Sequence, residues 1–182
     1  MLIWLNGTFG AGKTATANEL TEVLADCRVY DPELVGALLR HSLGDIPVDD
    51  FQDWTPWRPL VAEGAIQLAR FTHRPWVVPQ TLLREEYYQE IFDRFRSEEV
   101  SAFMVLLDAE EEVLRDRIEK SDEFADDPAV SGKVRDWRLA HLRTYAQSRD
   151  WMASVADLVI DTSELTAAQA AKTVLAEYLR TA

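Results

Sequence analysis

The sequence predicts a three-layer α/β/α fold around a five-stranded, mostly parallel sheet, and three observations carry that expectation. Five short apolar runs, at 2–6, 28–31, 76–80, 103–108 and 158–161, are rich in β-branched and aromatic residues and read as buried strands. Helical stretches separate them, at about 12–24, 32–41, 60–72, 84–96, 110–120, 133–149 and 166–179. Strand and helix alternate throughout, without repeats, and apolar strands joined by helices need cover on both faces.

Composition agrees with one folded unit spanning 1–182. Of the 182 residues, 47% are hydrophobic and 28% charged, which is globular rather than disordered usage. A net charge of −13 disfavours binding to nucleic acid, because backbone phosphates are held by clustered Lys and Arg. An anionic ligand therefore needs a local positive site. Fifteen arginines against four lysines suit that, since a guanidinium grips phosphate with two parallel bonds. Cys27 stands alone, so no internal disulfide is expected. Nothing approaches a membrane span of about 20 apolar residues, and the expected location is the cytoplasm. Oligomeric state is left open.

The first strand runs into Gly7-Thr8-Phe9-Gly10-Ala11-Gly12-Lys13-Thr14, which fits G-x-x-x-x-G-K-[ST] at every fixed position. Its setting, after a strand and before a helix, is the one the chemistry requires. Gly7, Gly10 and Gly12 let successive backbone N–H groups turn inward toward an anion, and a side chain at any of them would obstruct the nest. Lys13 is placed to bridge β- and γ-phosphates, and the Thr14 hydroxyl to ligate Mg²⁺. The expected ligand is ATP with magnesium.

Further elements follow in order. Asp31 ends the second strand before Pro32, where it is either a general base or the cap of the next helix. The segment 49–59 carries Trp54 and Trp57, which either stack on a substrate ring or anchor packing. Pro79 cannot donate to a ladder, so it belongs at the carboxyl end of its strand, where ligands bind. Tyr87, Tyr88, Ile91, Phe92 and Phe95 recur at helical spacing and predict a helix resting on the sheet. The polar stretch after Lys120 is a lid over 119–134 or a plain loop. Arg135 and Arg138 share a helix face, from which one can reach a transferring phosphate. The last helix lays Ala167, Ala171, Val174, Leu175 and Tyr178 on one side, against the sheet or, less favoured by the acidic charge, a membrane.

This order of motifs resembles the nucleoside monophosphate kinase and shikimate kinase group. The guanine-binding N-K-x-D string of regulatory GTPases is absent, and the third strand ends in Gln80-Thr81 rather than an acid. The resemblance implies that Asp31 holds or deprotonates the acceptor, that Arg40 and Arg84 are acceptor-side arginines, and that Arg117 packs over the adenine. Read without the resemblance, each arginine is equally a solvated or acid-paired surface group. It also implies that Val159-Ile160-Asp161-Thr162-Ser163 flanks the base. Taken with Asp31-Pro32-Glu33 and Val78-Pro79-Gln80-Thr81, the opening motif looks like bacterial tunicamycin-resistance ATP-binding proteins. That likeness implies phosphorylation, or simple sequestration, of a nucleoside-type antibiotic as the small-molecule partner.

Overall fold

The computed structural model describes residues 1–121 and 127–181. Five strands, β1 (Leu2–Asn6), β2 (Arg28–Val29), β3 (Trp76–Pro79), β4 (Ala102–Asp108) and β5 (Leu158–Asp161), form one sheet in the order β2-β3-β1-β4-β5. Every pairing is parallel. The helices are α1 (Lys13–Val23), α2 (Glu33–Leu43), α3 (Trp57–Thr72), α4 (Glu85–Ser97), α5 (Glu111–Glu119), α6 (Pro128–Val155) and α7 (Ala167–Thr181), with a 3₁₀ turn at Phe51–Asp53.

The central strand β1 is buried along its whole length, and the period of two divides its side chains between two cores. Ile3 and Leu5 join Val105 and Leu107 of β4 in a layer closed by α1, α5, α6 and α7. Leu2 and Trp4 join Met104 and face α3 and α4. There Trp4 meets Phe92 edge-on, with ring centroids 5.5 Å apart, the arrangement that the aromatic quadrupole favours.

Two boundaries differ from expectation for local reasons. Strand β2 stops at Val29, so Asp31 lies beyond it rather than on its last rung. Helix α6 begins at Pro128, five residues before the expected start at Lys133, because the Asp127 carboxylate accepts from the N–H groups of Ala129 and Val130 while Pro128 occupies the first turn. Of the segment proposed as a lid, 128–134 is therefore helix, and 122–126 lies outside the described residues.

Pro79 ends β3 opposite Leu5, and the next N–H, of Gln80, still reaches the Leu5 carbonyl at 3.0 Å. The apolar side of α7 is spent inside the protein, where Ala170, Ala171, Val174 and Tyr178 are buried. Among the described residues no helix is long and apolar enough to cross a membrane.

Candidate nucleotide and acceptor site

The phosphate loop closes at the carboxyl end of β1, where Asn6 anchors it. Its Oδ1 accepts from the Gly7 and Leu82 N–H groups, both at 2.8 Å, so one buried amide ties the loop to the segment after β3. The Thr81 hydroxyl adds a bond to the Gly7 carbonyl at 2.9 Å. Gly7, Gly10 and Gly12 all have positive φ, at 140°, 80° and 92°. At Gly7 a Cβ would collide with the Leu107 carbonyl oxygen, and at Gly10 it would stand 2.9 Å from that of Leu114. Gly12 corrects the expectation of obstruction: a Cβ there meets nothing within 4 Å, and what demands glycine is the left-handed backbone that starts α1.

No side chain caps α1 and its first turn holds no acid, which leaves its positive end for an anion. Thr8 and Ala11 are buried, whereas the Thr14 hydroxyl side is exposed. Lys13 donates to the Thr8 carbonyl at 2.9 Å and lies 5.6 Å from the Phe9 ring centre. Burial pushes its ammonium down to about 7, with Glu33 opposing the shift and Arg138 reinforcing it. A group held so far below its ordinary value is poised to gain from a neighbouring polyphosphate.

On the base side, Arg117 acts as a staple. One terminal nitrogen donates to the Gly10 carbonyl at 3.2 Å and the other to the Thr162 carbonyl at 2.7 Å. The Thr162 hydroxyl lies within hydrogen-bond distance of the Ala11 and Asp108 carbonyls, joining phosphate loop, β4 and β5 at one point. Asp108 beneath them is buried, accepting from Tyr145 and, through its other oxygen, from Arg149. That network holds the middle of α6 to the sheet.

Beside the phosphate loop, and sharing Phe9 with it, is a cleft of about 300 Å³. Phe9 meets Trp137 and His141 with centroids 5.0 and 5.7 Å apart. The Arg138 guanidinium lies over the same ring, 5.3 Å from its centre. Asp49, Asp50, Asp53, Arg84 and Tyr87 also line the cleft. Tyr87 donates to Asp53 at 2.7 Å, and Arg84 donates to the Tyr87 hydroxyl at 2.9 Å. Burial raises the Asp50 carboxyl above its ordinary range, and neighbouring Asp53 adds to the shift.

Of the residues expected on the acceptor side, the structure brings only Arg84 into this cleft. Asp31 accepts from the Glu33 N–H at 2.9 Å in a turn just ahead of α2, whose N-cap is Pro32, and neither it nor Arg40, exposed in the last turn of α2, lines the cavity. Trp54 and Trp57 are corrected outright as stacking residues. Trp57 is fully buried with its Nε1 on the Pro32 carbonyl, and Trp54 is 8% exposed with its Nε1 on Ile46, so neither ring has a free face. Their segment does supply the wall, but through its aspartates. Trp137, His141 and Thr144, missed in the sequence, sit at helical spacing on one face of α6, a periodicity that was there to be read. Tyr87 was expected on the sheet and instead turns to the cleft.

Residues 2–145 match the family model described as AAA domain. The chain belongs to the AAA domain family. Among solved structures, this AAA domain is similar to the tunicamycin resistance protein of Deinococcus radiodurans, at 26% identity over 97% of this chain and 94% of that one, with a TM-score of 0.69. It shares its fold with a gluconokinase from Sinorhizobium meliloti 1021, at 20% identity over 99% and 92% of the two chains and a TM-score of 0.65. A shikimate kinase from Acinetobacter baumannii also aligns, at 17% identity over 99% and 93% of the chains, with a TM-score of 0.56. No curated protein matches the chain in sequence. The AAA domain here thus has the α/β architecture of P-loop kinases.

Proposed function

We propose that this protein binds ATP at residues 7–14 and transfers its γ-phosphate to a hydroxyl of a small molecule held in the adjoining cleft. The acceptor we favour is a nucleoside-type antibiotic such as tunicamycin, in keeping with the Deinococcus relative, and the reaction would belong to the cytoplasm. One observation carries the reading: the cleft and the phosphate loop share Phe9, whose ring centre lies 5.6 Å from the Lys13 ammonium and 5.3 Å from the Arg138 guanidinium. In-line transfer needs donor and acceptor at such a common boundary.

The loop fits a polyphosphate because its two crowded glycines leave room only for backbone, and Lys13 brings the charge. Among the described residues no cluster of three His, Cys, Asp or Glu forms a metal cage, so Mg²⁺ would rest on the Thr14 hydroxyl and the phosphate oxygens, where it supplies charge neutralisation. Incubation with Mg-ATP and tunicamycin should add one phosphate to the antibiotic by mass spectrometry. Unchanged mass for tunicamycin and for a panel of nucleosides would overturn the transfer.

Gln80 favours a second reading, sequestration without chemistry. It directly follows β3 where many P-loop enzymes place an acid, it is buried, and its Nε2 donates to the Thr81 carbonyl at 3.1 Å. Stoichiometric tunicamycin binding by calorimetry, with no phosphate transferred, would select that reading. Lys13→Ala abolishes nucleotide binding under either.

A further inference from the structure

Phe9 is the common neighbour of two cations and of a histidine that lines the cleft. The Lys13 ammonium and the Arg138 guanidinium lie 5.6 and 5.3 Å from its ring centre, and His141 meets it edge-on at an interplanar angle of 84°. His141 Nδ1 stands 2.7 Å from the main-chain carbonyl of Trp137, one turn earlier on α6. A carbonyl only accepts, so Nδ1 is the nitrogen that carries hydrogen. In the neutral ring the lone pair is therefore on Nε2, which that bond leaves available.

The other titratable groups of the site are occupied or placed elsewhere. Asp53 receives Tyr87, the Asp50 N–H and Arg84. Asp31 receives Glu33 N–H and lies outside the lining. Asp50 accepts from Gln52 N–H at 2.9 Å and lies within electrostatic reach of His141. Asp49, Asp50 and Asp53 from the segment before α3 and Arg84 from the start of α4 line the cleft with His141, while Lys13 from α1 and Arg138 from its own helix lie against Phe9, which His141 also meets.

We propose that His141 Nε2 is the general base of the transfer, a role that rests on the phosphotransferase reading above. The acceptor O–H gives its proton to Nε2, and the acceptor oxygen bonds to the γ-phosphorus. The bond from that phosphorus to the β,γ-bridging oxygen breaks, and ADP departs with its electron pair. The imidazolium then returns its proton to solvent. An imidazole, with an ordinary pKa of about 6.5, suits this work near neutral pH better than a carboxylate at about 4.

The test compares wild type, His141→Gln, Asp31→Asn and Asp50→Asn, measuring phosphate transfer from Mg-ATP to tunicamycin and to water between about pH 5.5 and 9, a range that brackets the ordinary imidazole pKa of about 6.5. His141→Gln should lower kcat by about 10²–10⁴-fold, leave KM for ATP unchanged and remove the acid limb of the pH profile. Nitrogen NMR of the ligand-free protein should show His141 as the Nδ1–H tautomer, a readout independent of any acceptor and of the variant's folding. An Nε2–H tautomer, a wild-type profile without an acid limb, or near wild-type kcat in His141→Gln alongside a collapse in Asp31→Asn or Asp50→Asn would each overturn the role. Absence of transfer by wild type to both tunicamycin and water would instead sink the phosphotransferase reading, and this role with it.

Discussion

Lys13 makes nucleotide affinity depend on pH in a direction that its burial fixes. In the empty protein its pKa is about 7 against an ordinary 10.5, so between those values the unfolded chain binds more protons than the folded one. Stability of the ligand-free protein therefore gains from this group as pH rises through that window, and carries its full penalty below about 7. ATP reverses the preference, because phosphates favour the ammonium. Binding above neutral pH should take up a proton, and affinity should weaken by up to about tenfold per pH unit between pH 7 and 9. Calorimetry in buffers of different ionisation enthalpy checks the proton uptake, and a pH-independent affinity would contradict it. Lysine in a G-K-[ST] string was legible from sequence. Its depressed pKa was not, since that comes from burial in the folded chain and is reinforced by Arg138, which is remote in the sequence.

At the scale of elements, α5 contributes through Arg117 and the segment before α3 through its two tryptophans. Arg117→Ala strips the donors from the Gly10, Thr162 and Ser163 carbonyls, which then lose the tie between phosphate loop and β5. ATP affinity should fall by about tenfold, roughly 1.4 kcal/mol, as measured by titration. Arg117→Lys should restore little, because one ammonium cannot span the fork that the guanidinium fills. Trp57→Ala, in contrast, should cost about 3–5 kcal/mol of stability by denaturant unfolding, while any folded fraction keeps its KM for the acceptor. A raised KM at unchanged stability would return Trp57 to the site. Sequence singled out Trp54 and Trp57 and could not tell a buried ring from a stacking one, because burial depends on α2 and on residues 44–48 folding back over them.

Across the whole molecule, one buried carboxylate links sheet, phosphate loop and cleft wall. Asp108 at the end of β4 receives Tyr145 and Arg149 from α6, and its main chain receives Thr162. The same helix presents Trp137, His141 and Thr144 to the cavity, so the network sets where that wall stands. Tyr145→Phe removes a donor to a buried charge and should cost about 1.5–3 kcal/mol, read as a lower urea midpoint. Weaker acceptor binding should accompany it, and an unchanged midpoint would show that Arg149 and the Ala109 N–H suffice for Asp108.

Local pattern determined the parallel α/β sheet, the position of Pro79 and the phosphate loop with its lysine. Those rest on period, on backbone conformation and on residues adjacent in sequence, which a chain displays without folding. The turn that Asp31 makes with the Glu33 N–H ahead of α2 is equally local, since the bond spans two residues. The acceptor wall was decided only by tertiary structure. Asp50, Tyr87 and His141 come from three separate elements, and no single spacing encodes their meeting. Arg117 needed the same closure, because a carbonyl of the phosphate loop, 107 residues away, and the turn after β5 become its partners only once β4 has paired with both β1 and β5.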